Sequence, residues 1–210
     1  MSFLAKPQDT SALPATFCRD LLHTLLLPAH PLLPPTTSSH AAVLVCCINA
    51  SEPYVLLTRR SINLALHAGQ ISLPGGRIET KDESLEATAL RETFEEIGLD
   101  PFVLQTLGRL PETRVSSGIT ITPVVAWCER EPELSHNPAE VAEIIQLPLH
   151  LALDASQYGT DTLERDGEIR EFRFIRYGDH YIWGATARIL LSLSELTNPV
   201  CADSHCETRS

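Results

Sequence analysis

The chain has 210 residues, enough for one domain with short extensions. Its formal charge of −11 argues against a general nucleic-acid-binding surface, which needs basic patches. His and Pro interrupt its apolar stretches well short of the ~20 residues that span a bilayer, so we expect no membrane span. The six cysteines are scattered and form no disulfide framework, and we find no secretory signal, so we expect a cytoplasmic protein.

The first 35 residues predict an extension that precedes the main domain. Residues 1–10 are polar, and we expect them to be disordered. Apolar residues recur at helical spacing in Thr16–Leu27, which predicts an amphipathic helix that packs on the domain. The segment Pro28–Pro35 contains four prolines, which cannot continue that helix and favour a stiff linker.

Apolar and β-branched runs predict the strands of the main domain, residues 36–197. The expected strands are Ala41–Ile48, Tyr54–Thr58, Phe102–Leu110, Ile119–Trp127, Ile169–Tyr177 as an exposed edge strand, and Tyr181–Trp183. Leu147–Leu153 is expected to be helical or turn-like, and Gly184–Leu196 predicts a closing helix. Strands around one strong helix, with a helix at the end, indicate an α+β fold. Residues 198–210 are a polar tail, in which Cys201, His205 and Cys206 lack a fourth ligand for a metal site.

Three glutamates stand close together in a predicted helix at about residues 83–97. Glu92, Glu95 and Glu96 have the spacing i, i+3 and i+4, which places them on one helical face. The opposite face, with Ala87, Leu90, Phe94 and Ile97, is expected to face the core. Either the glutamates form a solvated acidic surface, or they hold a hard divalent cation such as Mg²⁺ or Mn²⁺.

The residues before this helix form a tight turn. Gly75 and Gly76 permit positive φ angles and a close approach of the backbone to a ligand. Thr80 and Glu83 have the spacing of a capping box, which predicts a helix start near Glu83 or the next residue, although Asp82 is another candidate N-cap. Arg91 is spaced to connect the acidic side chains of this face, four residues before Glu95 and two turns after Glu83.

These residues together resemble the Nudix hydrolase family, whose pattern is G-x5-E-x7-R-E-U-x-E-E-x-G-U with U a large apolar residue. Arg91, Glu92, Glu95, Glu96, Gly98 and Leu99 match it, and Glu83 stands at the pattern's first glutamate. Thr93 occupies an apolar position, and six residues rather than five separate Gly76 from Glu83. The resemblance implies a Nudix fold, an α/β/α sandwich around a mixed sheet, with Glu83 and Gly98 in structural roles.

A second signature resembles the coenzyme A pyrophosphatase branch, whose pattern is L-L-T-x-R-[SA]-x3-R-x3-G-x3-F-P-G-G. The matching residues are Leu56-Leu57-Thr58-Arg59-Arg60-Ser61, Gly69 and Pro74-Gly75-Gly76. Ala65 replaces the second arginine of the pattern, and Leu73 replaces its phenylalanine. The resemblance makes Arg60, His67 and Gly75 candidates for substrate contacts. A surface arginine or a loop histidine without such a match is usually only a solvated polar group.

The resemblance also implies a mechanism and its residues. Glu92, Glu95, Glu96 and the Gly76 carbonyl would hold Mg²⁺ or Mn²⁺, which lowers the pKa of bound water and offsets the charge of a pyrophosphate. Arg91 would orient the carboxylates, and Glu92 is named as the general base. Glu140 is the alternative base, because it aligns with a distal acidic position of related enzymes, and Glu143 competes with it for that assignment.

Three functions remain open at this point. The first is hydrolysis of coenzyme A or its acyl esters to 3′,5′-ADP and 4′-phosphopantetheine species. The second is the same chemistry on another nucleoside diphosphate derivative, such as ADP-ribose or a dinucleotide. The third is a Nudix-shaped module that binds a ligand without turnover, which the complete glutamate set argues against. The segment from Glu112 to Gly118 is either a substrate loop or an ordinary hairpin connection, and a homodimer is a possible assembly.

Overall fold

The computed structural model describes residues 39–165 and 167–197, together with Arg19, Asp20, Leu22 and Leu26. The predicted disorder of residues 1–10, the proline-rich linker and the polar tail at 198–210 lie outside the described residues. The predicted helix Thr16–Leu27 is described only in part. Leu22 and Leu26 are buried in the main core, and the amide of Leu26 donates to the carbonyl of Leu22 over 3.1 Å. These two leucines pack on the domain, as the sequence predicts.

A mixed eight-stranded sheet forms the centre of the domain. Its strands are β1 (His40–Ile48), β2 (Tyr54–Arg60), β3 (Ile71–Ser72), β4 (Gly75–Arg77), β5 (Leu104–Arg109), β6 (Thr113–Arg114), β7 (Thr120–Cys128) and β8 (Val141–Pro148). Its main path runs β3-β2-β1-β7-β5, and β4, β6 and β8 pair with β1, β7 and β2. The pair β1–β7 is parallel over the full length of both strands, and the others are antiparallel.

A second, antiparallel sheet of three strands has the order β11-β10-β9. Its strands are β9 (Tyr158–Arg165), β10 (Glu168–Tyr177) and β11 (His180–Trp183). The prediction that Ile169–Tyr177 forms an edge strand is wrong, because β10 lies between two partners. The exposed residues that suggested an edge belong to a β9–β10 hairpin that is solvated on both faces.

Helices cover both faces of the large sheet. They are α1 (Leu85–Ile97), α2 (Leu149–Ala152) and α3 (Ala185–Thr197), with short 3-10 turns at Pro101–Val103 and Ala155–Gln157. The core on one face lies between the sheet and α1, and the core on the other face includes α3, α2 and the two described N-terminal leucines. The domain is therefore the expected α/β/α sandwich of α+β class. In the part of the chain that the structure describes, none of the helices is long and apolar enough to cross a membrane.

The buried face of α1 differs from the predicted one. Phe94 is 53% exposed, and of the four predicted core residues only Ile97 is fully buried. Leu85, Ala89 and Thr93 face the sheet instead, at the spacing i, i+4 and i+8. Thr93, at the apolar position of the motif, is fully buried and donates its hydroxyl to the Ala89 carbonyl over 2.6 Å. A threonine fits this apolar position because its hydroxyl bonds within its own helix.

Candidate active site

Capping residues fix both ends of α1. The Ser84 hydroxyl accepts a hydrogen bond from the amide of Ala87 over 3.0 Å, so Ser84 is the N-cap. The prediction that Thr80 and Glu83 form the capping box is therefore wrong, and the helix begins at Leu85. At the other end Gly98 adopts a left-handed conformation with φ of 67°, and its amide donates to the carbonyl of Phe94. This is the structural position that the motif assigns to Gly98.

The loop that leads into α1 is closed by a buried ion pair between Asp82 and Arg91. Nε and Nη2 of Arg91 donate to the two carboxylate oxygens of Asp82 over 2.8 and 3.0 Å. The Asp82 side chain is 3% exposed, and it also accepts hydrogen bonds from the amide of Glu79 and the hydroxyl of Thr88. The hydrogen bonds from Arg91 lower the pKa of Asp82 to about 2. Asp82 is therefore ionised and fully paired.

Glu83 does not have the structural role that we predicted for it. Its side chain is exposed, and the bidentate acidic partner of Arg91 is the residue before it. The additional loop residue explains the shift, because Asp82 keeps the five-residue spacing from Gly76 whereas Glu83 keeps the spacing to Arg91. The spacing from the glycine was the sequence signal that could have identified Asp82. The pattern of the loop otherwise indicated Asp82 only as a candidate N-cap.

Arg91 also reaches the glutamates of α1. Its Nη1 lies 2.9 Å from Glu92, 3.1 Å from Glu95 and 3.7 Å from Glu79. One arginine thus connects the ordered loop to the acidic side of the helix. This geometry fits a residue that orients carboxylates, as the sequence predicts for Arg91.

The three motif glutamates differ sharply in burial. The Glu95 side chain is 47% exposed, that of Glu92 is 18% exposed and that of Glu96 is 5% exposed. Of the two alternatives for these glutamates, a solvated acidic surface therefore describes only Glu95. Because α1 packs on the sheet, the side chain of Glu96, at the i+4 position, points towards the sheet instead of into solvent.

Glu96 is the least compensated charge near the helix. It accepts a hydrogen bond from the amide of Gly75, and its Oε1 lies 3.8 Å from Nη1 of Arg60. Its Oε2 is buried without a hydrogen-bond partner among the described residues, and the same is true of Nε of Arg60. Burial, together with the charges of Glu92 and Glu140, raises the pKa of Glu96 to about 8, and Arg60 opposes this rise. We call Glu92, Glu96 and Glu140 the acidic cluster.

Gly75 and Gly76 lie in β4 and pair with β1, so the tight turn predicted at these residues is wrong. Both glycines lie close to the acidic side chains. A Cβ added to Gly76 would lie 2.4 Å from Cδ of Glu92, so the carboxylate packs directly on the glycine backbone. Gly75 has φ of 147°, and a Cβ there would lie 2.4 Å from the carbonyl oxygen of Ala42 in β1. Burial also raises the pKa of Glu92, against the effect of Arg91. The structure therefore brings both glycines close to the carboxylates of α1.

The structure separates the two candidates for the distal acidic residue. Glu143 pairs with Nε of Arg59 over 2.8 Å and lies 3.7 Å from Nε2 of His180. Glu140 lies close enough to Glu96 to raise its pKa, and its backbone carbonyl accepts a hydrogen bond from the amide of Ser61. Glu140 therefore belongs with the acidic cluster, whereas Glu143 has its own cation.

The remaining predicted contacts lie around the loop of residues 61–70. Arg60 ends β2, and its guanidinium points towards Glu96. His67 has an exposed side chain and φ of 58°, and its Nδ1 lies 2.8 Å from Oε1 of Gln70. The structure thus places Arg60 beside the acidic cluster, whereas the side chain of His67 contacts Gln70 of its own loop. The segment from Glu112 to Gly118 forms the β6–β7 hairpin, with Val115 donating to the carbonyl of Ile119.

The donor set fits a hard divalent cation. Within the described residues, no group of three His, Cys, Asp or Glu side chains converges on one point in the present geometry. The unpartnered Oε2 of Glu96 and the raised pKa of this residue nevertheless indicate that Arg60 only partly compensates the acidic cluster. Carboxylate oxygens of this kind are what Mg²⁺ and Mn²⁺ prefer.

Comparisons with known proteins identify the family of the chain. A model of the NUDIX domain matches residues 38–188. An uncharacterized Nudix hydrolase NudL of Photorhabdus laumondii is 42% identical over 81% of this chain and 91% of its own. One of Yersinia pestis is 39% identical over 76% of this chain and 80% of its own. Among solved structures, an Ap4A hydrolase of C. elegans is 19% identical, with a TM-score of 0.45, over 52% of this chain and 80% of its own.

The α/β/α sandwich and the motif helix, with the sequence matches, define the class of the protein. The chain belongs to the Nudix family and is a pyrophosphohydrolase. Within the family it belongs to the branch of the NudL relatives. Nudix hydrolases generally use divalent metal ions and act on small substrates derived from nucleotides.

Proposed function

We propose that this enzyme hydrolyses the pyrophosphate bond of coenzyme A or its acyl esters, giving 3′,5′-ADP and (acyl-)4′-phosphopantetheine. The observation that carries the proposal is the position of Arg60. This residue belongs to the segment that resembles the coenzyme A branch, and its guanidinium lies 3.8 Å from Glu96 with Nε unpartnered. A partly buried cation beside the acidic cluster can donate to a phosphate oxygen of a bound pyrophosphate.

The cation in this proposal is Mg²⁺ or Mn²⁺. Glu92, Glu95, Glu96 and the carbonyl of Gly76 would hold it. When bound, the ion would lower the pKa of a water molecule and offset the negative charge of the pyrophosphate.

The side chains of the site have separate roles in the proposed reaction. Glu92 is the general base, because burial raises the pKa of its carboxylate and makes it a better proton acceptor than an exposed glutamate. Arg91 holds that carboxylate in place through its contact of 2.9 Å. Glu140 is the alternative base, since its charge acts on the same cluster.

A second candidate is hydrolysis of another nucleoside diphosphate derivative, such as ADP-ribose or a dinucleotide. Ala65, which replaces the second arginine of the branch pattern, favours it. Ala65 is exposed in the loop that follows Arg60, where an arginine could have contacted a further phosphate. The chemistry would be the same, and only the group beyond the pyrophosphate would differ.

We also propose that the protein is cytoplasmic and that its catalytic domain lies between two extensions. Among the cysteines that the structure describes, Cys46 and Cys128 are buried thiols outside any disulfide, which favours a reducing cytoplasm. We place the catalytic domain at residues 36–197, after an N-terminal extension and before a polar tail. The partner of this domain is a small nucleotide-derived molecule, and no nucleic acid is proposed.

Product analysis tests the substrate. The full chain is incubated with Mg²⁺, and in parallel with Mn²⁺, and with coenzyme A, acetyl-coenzyme A, ADP-ribose or NADH. We expect 3′,5′-ADP from the coenzyme A species as the fastest reaction. Faster cleavage of ADP-ribose or NADH would reject the coenzyme A proposal in favour of the second candidate.

A variant sharpens the same test. Ala65→Arg restores the cation of the branch pattern, and we expect it to lower KM for coenzyme A about tenfold, the effect of one added charge-assisted contact. KM for ADP-ribose, which lacks the 3′-phosphate, should change much less. An equal change in KM for both substrates would mean that the loop does not distinguish coenzyme A from ADP-ribose.

A further inference from the structure

The β9–β10 hairpin projects from the domain. The described residues 160–164 and 167–171 are exposed, and β9 packs mainly against β10. Leu163 and Ile169 are 48% and 75% exposed on this hairpin. A two-stranded ribbon without a covered face is marginally stable in water, so a projecting hairpin with large apolar side chains is suited to a partner.

The outer edge of β9 can pair with another strand once the Thr162 amide exchanges its bond to Asp161 for an interstrand bond. Within the described part of the chain, β9 ends the three-stranded sheet, and β10 is its one strand partner. The amide of Thr162 donates to Oδ1 of its neighbour Asp161 over 2.8 Å, so it points away from β10. Backbone groups of Thr160, Thr162 and Glu164 therefore face outward, since alternate residues of a strand share one edge.

We infer that this edge pairs antiparallel with the β9 edge of a second copy of the chain, making one continuous six-stranded sheet across a two-fold axis. A two-fold axis perpendicular to the sheet pairs residues whose numbers sum to a constant even value. The charges of β9 select one such register. With Leu163 opposite its own copy, Thr162 stands opposite Glu164, and Asp161 stands opposite position 165, an arginine in the sequence.

Neighbouring registers are less favourable. A register centred on Asp161 or on Glu164 would place two carboxylates directly opposite each other, which destabilises a strand pair. A register centred on Thr162 would place Asp161 opposite Leu163. In the chosen register Leu163 also forms the non-hydrogen-bonded pair, in which facing side chains come closest. Charge complementarity and apolar contact thus agree on one arrangement.

The strand that pairs with the outer edge of β9 is therefore β9 of a second copy of the chain, rather than an unrelated peptide. Five residues of β9, from 161 to 165, overlap with their copies in this register. Such a short overlap is smaller than a standard interface, so we expect an association that depends on protein concentration. The dimer would leave the acidic cluster untouched, since none of its residues lies on β9.

Sedimentation of the full chain over a range of concentrations tests the inference. We expect a reversible monomer–dimer equilibrium in the wild type. Leu163→Asp should raise the dimer dissociation constant about 100-fold, because it removes two buried leucines and places like charges opposite each other. Ile169→Asp is the matched control, an equally drastic change on the adjacent strand β10, and should leave the equilibrium unchanged. Circular dichroism shows that both variants fold.

Cross-linking tests the register. In a background in which Cys18, Cys201 and Cys206 are serine, Leu163→Cys should form a disulfide-linked dimer on mild oxidation, since facing Cα atoms of such a pair lie about 4.5 Å apart. Ile169→Cys should remain monomeric. A wild type that is monomeric at every concentration, a dimer that Leu163→Asp does not weaken, or equal cross-linking of both cysteine variants would each overturn the inference. Because these readouts are masses, they are independent of the proposed substrate.

Discussion

Two carboxylates beside α1, those of Asp82 and Glu96, have opposite electrostatic environments. On the loop side, Asp82 is buried with both oxygens bonded to Arg91, and its pKa is lowered to about 2. On the sheet side, Glu96 is equally buried but has an unpartnered oxygen and a pKa raised to about 8. At Asp82 the hydrogen bonds from Arg91 outweigh the effect of burial on the pKa, whereas at Glu96 burial is the largest effect and Arg60 opposes it only in part. A paired carboxylate stabilises the fold, whereas an unpaired one costs stability and is available for a ligand.

The strongest effect is expected at the unpaired carboxylate. Glu96→Gln keeps the shape of the side chain and removes its charge, so metal-dependent hydrolysis should fall at least about 10³-fold while the fold remains. Steady-state kinetics with Mg²⁺ and a thermal melt measure the two properties. Glu83→Gln, an exposed glutamate just before the same helix, is the control and should keep its activity. Full turnover in Glu96→Gln would reject the metal assignment.

The paired carboxylate should show the reverse behaviour. Asp82→Asn leaves Arg91 without its bidentate partner, so the free energy of unfolding should fall by about 3 kcal/mol. Urea denaturation measures this loss. Glu83→Gln should change stability by less than about 0.5 kcal/mol, since its side chain is exposed. A larger loss in Glu83→Gln than in Asp82→Asn would return the structural role to Glu83.

The two environments also predict opposite responses to pH. Glu96 has a raised pKa, so between pH 4.5 and about 8 the folded metal-free protein binds a proton that the unfolded chain has lost. Stability should therefore fall over this window as pH rises, by an amount on the order of 2 kcal/mol. Asp82 has a lowered pKa, so its contribution is present above pH 3.8 and is lost as pH falls towards 2.

Denaturation in EDTA at pH 5 and pH 8 measures this dependence. Other groups also titrate over the range, so Glu96→Gln is the reference: it should remove the part of the slope that belongs to Glu96. The same slope in both proteins would show that Glu96 is already ionised at pH 5.

The weakest effect is expected at the buried threonine of the motif. Thr93→Val keeps the volume and removes a hydroxyl whose partner, the Ala89 carbonyl, is already an acceptor of the helix. The free energy of unfolding should change by less than about 1 kcal/mol. A thermal melt checks this, and a loss above about 2 kcal/mol would mean that the hydroxyl has a further partner.

Elements that depend on local pattern could be predicted from the amino-acid sequence. The glutamate helix, most long strands and the closing helix follow from spacing and periodicity, and the family follows from fixed polar positions in the motif. The short strands β3, β4 and β6 and the strand β8 did not, since their residues are ordered by pairing with distant strands. The strand β9 was missed because its exposed polar residues show no apolar alternation.

Tertiary packing decides which acidic residue forms an ion pair with an arginine, which is buried and which is exposed to solvent. Sequence spacing indicated Glu83 as the acidic partner of Arg91, but in the folded loop Asp82 forms the ion pair with Arg91. Helical periodicity predicted a core position for Phe94, but the packing of α1 on the sheet buries Thr93 and Glu96 and leaves Phe94 exposed. A helix pattern repeats every 3.6 residues and defines faces only to within about one residue, so the packing partner sets the rotation. The same packing separates Glu140 from Glu143, because one lies towards the acidic cluster and the other against Arg59.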